Sequence, residues 1–361
     1  IVAGGGSIAR VTSSGLLEIG PQSAGADPGP ICYGNGGKEP TISDANLILG
    51  RLNPESVVNR GGTASDIVAR IFAEKLAEPL GLDVTDAALA VIQMANTKMA
   101  GAVRMVSLSL GADPRDFALF AFGGAGPLHA SALAKELGIP KVLVPARPGI
   151  TNAIGCVIAD LRHDFVRTIN RPVDALGDTE LASVFADQVR EGDALIGKER
   201  LPATAIRYLF SVDMQFVGQT HLLRVPLESP DISPEALHDL FSQVYFNRFR
   251  VELKGIRAQV VNVNCSVIGE RPPLDLSKLI DPGERKPSLA EAQTSTRRVC
   301  FDGTWHDTSV YWRDHLPLDF SCSGPAVIEQ MDTTVLIEPN DHAKGDAQGN
   351  IEIEIGGSND R

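Results

Sequence analysis

The stretch FALFAFGGAGPLHASALA, Phe117 to Ala134, decides the fold. Its first six residues are apolar, a pattern typical of a strand that is buried on both faces, as in parallel sheets. The run ends at three glycines, Gly123, Gly124 and Gly126. Pro127 is well suited to the first turn of a helix, and Gly138 is placed to end that helix. The sequence therefore predicts a strand, a glycine turn and a helix.

A glycine turn between a strand and a helix leaves backbone N–H groups without partners at the start of the helix. In Gly123–Gly126 we expect these groups to point towards one spot, where they can bind an anion such as a phosphate. The alternative is that the glycines only allow the strand and the helix to pack closely. The pattern alone leaves both interpretations open, because glycine turns of this kind are common.

The composition is that of a globular protein with enough residues for about two domains. The 361 residues include 45 acidic and 33 basic side chains, which gives a net charge of −12. This charge argues against nucleic acid or an anionic membrane as a partner, because both attract basic surfaces. The five cysteines are scattered without a CxxC pair, which favours a reducing, cytoplasmic location. No run is long and apolar enough to span a bilayer.

Two architectures are predicted in succession. In residues 1–170, strands, loops and helices alternate, as expected of a layered α/β domain. Residues 171–361 are richer in strands and indicate an α+β domain. The clearest of these strands is Ile206–Phe216, in which every second residue is apolar. The chain opens on IVAGGG without an initiator methionine, so we expect it to be part of a longer polypeptide.

The irregular stretch Pro21–Pro40 draws attention to two carboxylates, because long ordered loops are often functional. Asp27 lies within this stretch and Asp44 follows it. Each is a candidate catalytic group in contact with ligand. Alternatively, Asp27 is a turn residue before Pro28, and Asp44 caps the next helix or lies in its first turn.

His129 is the third candidate catalytic residue. It lies in the first turn of the helix after the glycine turn, where a neutral imidazole can reach a phosphate or a substrate carbonyl. Alternatively, it only packs or caps. The seven histidines show no metal-type spacing, so we assign no metal ligands. The sequence also contains no Walker loop, GxSxG elbow or GxGxxG fingerprint, which disfavours a dinucleotide oxidoreductase.

Several stretches together resemble the A-type subunit of the hydantoinase/oxoprolinase family, which includes N-methylhydantoinase, 5-oxoprolinase and the acetone and acetophenone carboxylases. They occur in the family's order and cover nearly the whole chain. The stretches are GGGSIA (Gly4–Ala9), GPQSAGADPGPICYGNGG (Gly20–Gly37), TISDANLILGRLNP (Thr41–Pro54), GGTASD (Gly61–Asp66), DPRDFALFAFGGAGPLHA (Asp113–Ala130) and GPAVIEQMDTTV (Gly324–Val335).

The resemblance implies an actin/sugar-kinase-like (ribonuclease H-like) fold for residues 1–170, present only in part, followed by the strand-rich domain. It also implies ATP hydrolysis coupled to the opening of a cyclic amide or to the carboxylation of a ketone. By this comparison the glycine turn holds the adenosine side of ATP. The residues it would use are Gly123, Gly124, Ala125 and Gly126, with Thr151 and Asn152 in the next loop.

Part of the family's ATP machinery is absent from the sequence. The two upstream phosphate loops resembling DxGGTxTD do not occur, and GGTASD at Gly61 resembles them only superficially. We therefore expect the Mg²⁺ ligands to lie outside this chain and the chain alone to be inactive. The resemblance implies a B-type subunit or fused domain as partner. One alternative is a carboxylase subunit, and another is a non-catalytic module that docks the B-type subunit.

Overall fold

The computed structural model describes residues 4–55, 63–201, 203–253, 255–275, 278, 280 and 283–356. The chain forms two compact units. The first unit combines Ile1–Ile154 with Asp275–Arg361, and the second is the intervening segment Gly155–Leu274. The second unit is therefore inserted between the two segments of sequence that together form the first unit.

Strands in the described residues are numbered in chain order. They are β1 (Ser7–Val11), β2 (Leu17–Ser23), β3 (Ala118–Phe120), β4 (Lys141–Val144), β5 (Leu161–Pro172), β6 (Ala205–Phe216), β7 (Leu223–Leu227), β8 (Ala258–Glu270), β9 (Gln293–Phe301), β10 (Thr304–Trp312), β11 (Ser321–Ser323), β12 (Ala326–Glu329), β13 (Thr334–Ile337), β14 (His342–Gly345) and β15 (Ile351–Glu354).

Helices account for most of the remaining regular structure. The α-helices are Ile42–Ile48, Ser65–Phe72, Glu78–Leu80, Val84–Leu110, Gly126–Leu137, Thr151–Ile158, Glu180–Ile196, Pro234–Phe249 and Leu289–Ala292, and a π-helical turn, Ala73–Ala77, joins the second to the third. None of the helices in the described residues is both long and apolar enough to cross a membrane.

The long helix Val84–Leu110 has a capping residue at each end. The side chain of Asp83 accepts a hydrogen bond from the Asp86 N–H and so caps the helix. The helix ends at Gly111, which adopts a φ of +67°, a left-handed conformation that glycine allows without strain. Both ends of the helix are thus fixed by local sequence.

A five-stranded sheet of order β11-β14-β15-β4-β3 carries the glycine turn in the first unit. β3 and β4 are parallel, and β15 pairs antiparallel with β4. A second sheet, β13-β12-β10-β9, also belongs to this unit. Apolar side chains from β4, β12, β13 and β15 and from the helix Gly126–Leu137 share one buried core.

The strand before the glycine turn differs from its prediction. The prediction that this strand is buried on both faces is wrong. β3 has only three residues and lies at the edge of its sheet. Phe117, Phe120 and Phe122 are 56, 46 and 39% exposed. In contrast, the helix after the turn runs from Gly126 to Leu137 and ends at Gly138 with a φ of +70°, as predicted.

The second unit is a four-stranded antiparallel sheet of order β5-β8-β6-β7. One face is covered by the helices Glu180–Ile196 and Pro234–Phe249, which bury an apolar core with it. The predicted period-two strand is confirmed as β6, and β7 pairs with it antiparallel. Ser233 caps the second of these helices through its side chain.

The compact units do not follow the linear boundary expected at residue 170. Residues 275–361 join the first unit because β15 hydrogen-bonds to β4 over four residue pairs. The pattern of each strand gives its faces but not its neighbour, so sequence alone could not place these strands beside the glycine turn.

Candidate functional site

A cleft of about 450 Å³ opens beside the glycine turn in the first unit. Gly124 and Ala125 contribute backbone, Tyr33 and Trp312 contribute aromatic rings, and Asp332 contributes a carboxylate. The cleft thus combines backbone N–H donors, an acceptor and flat apolar surfaces, the mixture common in small-molecule sites.

The glycine turn adopts a conformation that depends on its first glycine. Gly123 has a φ of +85°, and its N–H donates to the carbonyl of Pro148 at 2.7 Å. The helix that follows has no side-chain cap at its N-cap residue, Ala125. Among the described residues, none accepts a hydrogen bond from the N–H of Gly124 or Ala125. These groups are therefore free to bind an acceptor at the positive end of the helix.

The hairpin between β12 and β13 clamps the turn from the other side. The Thr333 hydroxyl donates to the carbonyls of Gly124 at 3.0 Å and Gly123 at 3.3 Å. The hairpin itself is closed by the N–H of Gln330, which donates to the Thr333 carbonyl at 2.9 Å. With their carbonyls held by Thr333, the turn peptides keep a fixed orientation.

Asp332 lies between the glycine turn and the loop after β4. A Cβ on Gly149 would lie 2.1 Å from Asp332 Oδ2, and a Cβ on Gly124 would lie 3.3 Å from the Asp332 carbonyl oxygen. Asp332 Oδ1 is buried without a hydrogen-bond partner among the described residues. The carboxylate therefore needs a glycine at position 149, and it retains one unused acceptor atom.

Arg313 holds the loop after β4 in place. Its guanidinium donates to the carbonyls of Val144, Pro145 and Gly349, and to Gln330 Oε1. Only 4% of Arg313 is exposed, and burial lowers its pKa to about 10, so the side chain stays charged at neutral pH. One buried cation thereby links the ends of β4 and β12 to the loop before β15.

His129 lies in the helix after the turn but does not line the cleft. It is 3% exposed, and its Nδ1 lies 2.8 Å from Asn96 Oδ1, which accepts the Nδ1 proton. Burial, with a smaller contribution from the nearby Arg51 cation, lowers the pKa of His129 to about 4. The imidazole is therefore neutral at physiological pH.

The neutral His129 should make the first unit less stable in acid. Its folded pKa of about 4 lies below the ordinary 6.5. The unfolded chain therefore binds the proton first, and stability falls from pH 6.5 to 4. The integrated effect is about 3 kcal/mol. We expect His129→Gln to remove this part of the acid destabilisation, measured as urea unfolding at several pH values.

Tryptophan fluorescence isolates the unit concerned, because Trp305 and Trp312, the two tryptophans, both lie in the first unit. His315→Gln, at a histidine whose side chain is 29% exposed, is the matched control and should leave the slope unchanged. Equal pH slopes for wild type and His129→Gln would contradict the prediction.

Asp44 is fully buried and serves as a capping group. Its carboxylate accepts from the backbone N–H groups of Thr41, Cys32 and Ile31 and from the Thr41 hydroxyl. Burial raises its pKa, although the hydrogen bonds from Cys32 and Thr41 oppose the shift. Thr41 and Asp44 form a capping box on the helix Ile42–Ile48, and Asp44 does not reach the cleft.

The other sequence candidates are placed separately. Asp27 is exposed and does not line the cleft. The Thr151 hydroxyl donates to the carbonyls of Arg147 and Pro148, and Thr151 and Asn152 start a helix without lining the cleft. Of the GGTASD stretch, Gly61 and Gly62 lie outside the described residues.

Sequence reasoning missed the cleft residues that come from the far end of the chain. Trp312, Asp332 and Thr333 are distant from the glycine turn in sequence. The sequence signal that was available is a polar cluster between two apolar strands, QMDTT at Gln330–Thr334. Within the described residues, no group of three or more His, Cys, Asp or Glu side chains is arranged to hold a metal ion.

Two family models match successive parts of the chain. The model described as Hydantoinase/oxoprolinase matches residues 1–165, and the Hydantoinase/oxoprolinase C-terminal domain matches residues 179–352. The chain belongs to the hydantoinase/oxoprolinase family. The predicted resemblance is confirmed, and the glycine turn lies within the first of the two matches.

Members of the hydantoinase/oxoprolinase family with named activities are similar over nearly the whole chain. Caprolactamase subunit alpha of Pseudomonas jessenii is 35% identical over 98% of this chain and 52% of its own length. The acetophenone carboxylase gamma subunit of Aromatoleum aromaticum is 30% identical over 96% of this chain and 49% of its own.

A known structure of the hydantoinase/oxoprolinase family shares the fold. The crystal structure of ATP-dependent caprolactamase from Pseudomonas jessenii superposes with a TM-score of 0.77 at 32% identity, covering 98% of this chain and 52% of that chain. The present chain thus spans about half the length of the relatives it matches.

Proposed function

We propose that the cleft is the adenosine side of the nucleotide site of an ATP-dependent enzyme that hydrolyses a cyclic amide. The observation that carries this proposal is that the turn residues Gly124 and Ala125 line the cleft and that their N–H groups have no acceptor among the described residues. The name of the caprolactamase relative, an ATP-dependent lactam hydrolase, supports the reaction class.

The chain's own residues would bind and orient the nucleotide. The N–H groups of Gly124 and Ala125 would donate to an acceptor of the nucleotide, and the Asp332 carboxylate, which lines the cleft, would accept from a hydroxyl or amino group. Tyr33 and Trp312 offer flat surfaces for a base. When bound, ATP supplies a phosphoryl group that activates the amide oxygen of the substrate.

The proposal assigns no step to Mg²⁺ within this chain. The described residues offer no carboxylate cluster for the ion, and its ligands would belong to the part of the relatives that this chain does not match. We extend the same proposal to the fold: residues 1–170 would be part of an actin/sugar-kinase-like ATPase domain. Asp27, Asp44 and His129 receive no chemical role, because none lines the cleft.

A ketone carboxylase is the second candidate function. The 30% identity to an acetophenone carboxylase subunit favours it, and both reactions would use ATP to activate an oxygen atom of the substrate. In either case the relatives are named as subunits, so we propose a B-type subunit as partner. The substrate decides between the two functions. An assay of substrate-stimulated ATP hydrolysis by the full-length gene product with its partner would identify it.

ATP binding tests the site directly, because Trp312 lines the cleft. We expect ATP to change the tryptophan fluorescence of the 361-residue chain in a saturable way. Gly124→Asp should weaken this binding at least tenfold, since it places a carboxylate beside the free N–H groups. Gly101→Asp is the control, because Gly101 is an exposed helical glycine with no atom within 4 Å of its Cβ position.

Two results would count against the proposal. One is the absence of a saturable ATP response, and the other is unchanged affinity in Gly124→Asp. We also expect the chain alone to hydrolyse no more ATP than Gly124→Asp does, because the upstream phosphate loops are missing from its sequence. Hydrolysis clearly above that level would refute the inactivity of the isolated chain.

A further inference from the structure

A second, much smaller cavity lies in the first unit, and none of its lining residues lines the cleft beside the glycine turn. Its volume is about 10 Å³, which is the volume of one water-sized sphere. Three basic side chains line it, Arg147, Arg285 and Arg313, together with the carboxylate of Asp314. Among the described residues that line this cavity, Asp314 is the only acidic one. We call it the arginine cavity.

Each arginine of the arginine cavity is anchored by hydrogen bonds of its own. Arg147 donates to Asp314 Oδ1 at 2.8 Å, and Arg285 donates to the carbonyl of Leu316. Arg313 donates to three carbonyls and to one side-chain amide oxygen. Arginine stays protonated in proteins, and carbonyl acceptors carry no formal charge. Asp314 therefore neutralises one guanidinium, and two positive charges remain in excess around the cavity.

Burial makes this excess of positive charge costly. Arg313 is 4% exposed, so water screens its charge poorly from the neighbouring charges. Burial is the main cause of the lowered pKa of Arg313, and repulsion from Arg147 and Arg285 lowers that pKa further. Attraction by Asp314 and Asp332 opposes the shift only in part. A negative ion beside Arg313 would therefore stabilise the folded first unit.

Arg313 retains a donor for such an ion. Its hydrogen bonds all start from Nη1 and Nη2, and no acceptor among the described residues takes a hydrogen bond from its Nε–H. A guanidinium offers five N–H donors in one plane. An anion can therefore accept a hydrogen bond from this side chain without displacing a protein carbonyl.

The size of the arginine cavity restricts the kind of anion. Space for one water-sized sphere is too small for phosphate, sulfate or an organic carboxylate, whereas a chloride ion is only slightly larger than a water molecule. Leu316, Phe320 and Ile351 contribute apolar walls, which suit a weakly hydrated ion. A water molecule would also fit, but it would not neutralise the excess charge.

We propose that the arginine cavity binds a chloride ion, which neutralises part of the charge of the three arginines and stabilises the first unit. Arg313 also holds Gln330, in the hairpin that carries Thr333. The ion would therefore strengthen the support of the glycine turn. The inference rests on the arginine cavity alone and stands whether or not the cleft binds ATP.

The dependence of stability on chloride tests the site. The 361-residue chain would be unfolded with urea and followed by tryptophan fluorescence, while sodium chloride replaces sodium gluconate at constant ionic strength. We expect the urea midpoint to rise with the logarithm of the chloride concentration once this exceeds the dissociation constant, because only the folded unit binds the ion. Bromide should act like chloride, whereas gluconate is too large to enter.

Arg285→Gln removes one of the excess charges and should weaken chloride binding by about tenfold or more. Arg115→Gln is the matched control and should respond to chloride like wild type, because its side chain is 72% exposed in the same unit and does not line the arginine cavity.

Crystals grown with sodium bromide give a second measurement that needs no variant. We expect an anomalous peak within hydrogen-bond distance of the Arg313 guanidinium. A urea midpoint that does not depend on chloride would overturn the proposal. So would equal chloride responses in Arg285→Gln and wild type, or bromide bound only at surface sites.

Discussion

Replacing Asp44 with alanine should lower the free energy of unfolding of the first unit by about 4 kcal/mol. The carboxylate accepts four hydrogen bonds, from the N–H groups of Ile31, Cys32 and Thr41 and from the Thr41 hydroxyl. Asp44 has no exposed surface, so water cannot replace its carboxylate oxygens as acceptors once the side chain is removed. Alanine therefore leaves several buried donors without partners and also removes half of a capping box.

Urea unfolding followed by tryptophan fluorescence measures this loss, because both tryptophans report on the first unit. Asp44→Asn should cost less than alanine, since one carbonyl oxygen remains as an acceptor. Asp27→Ala is the control and should change stability by less than about 0.5 kcal/mol, because that side chain is exposed. If Asp44→Ala unfolds at the urea concentration of Asp27→Ala, the capping role assigned to Asp44 is wrong.

Arg313→Met should lower the stability of the first unit by about 3 kcal/mol. Methionine retains most of the volume but donates no hydrogen bond, so the carbonyls of Val144, Pro145 and Gly349 lose their buried partner. Gln330 would also lose its contact with the guanidinium, which loosens the hairpin that carries Thr333. We therefore expect weaker ATP binding in the folded variant as well.

The matched control is Arg257→Met, at an arginine whose side chain is 60% exposed and paired with Asp174 in the second unit. Exposed ion pairs of this kind contribute about 0–1 kcal/mol. The two variants therefore compare the same chemical change in buried and exposed surroundings. A similar stability for both proteins would contradict the role of Arg313 as the central hydrogen-bond donor between the strand ends.

Local patterns predicted much of the secondary structure. The glycine turn, its helix and the strand β6 follow from sequence, because turn chemistry and apolar period act within a few residues. The exposure of Phe120 could not be predicted. An apolar run predicts that both faces of the strand are buried but does not indicate which other segments bury them. The cleft could be predicted only on its glycine side, because Asp332 and Thr333 reach it through sheet pairing between distant segments.

The candidate carboxylates illustrate the same limit. Asp27 and Asp44 have the same side chain and lie 17 positions apart in one stretch of sequence. One is exposed and the other has no exposed surface. The sequence identified capping as one interpretation of Asp44, but only the positions of Ile31 and Cys32 show that the carboxylate also fixes the preceding loop.

The discontinuous first unit has a consequence for synthesis on the ribosome. Three of the five strands in the sheet of the glycine turn, β11, β14 and β15, lie in the last 41 residues of the 361-residue chain. While residues 155–320 are being synthesised, β3, β4 and the glycine turn therefore lack three of the strands that complete their sheet. Contacts of such sequence separation form slowly and leave apolar strands exposed meanwhile. The sheet of the glycine turn is therefore complete only after β15 has been synthesised.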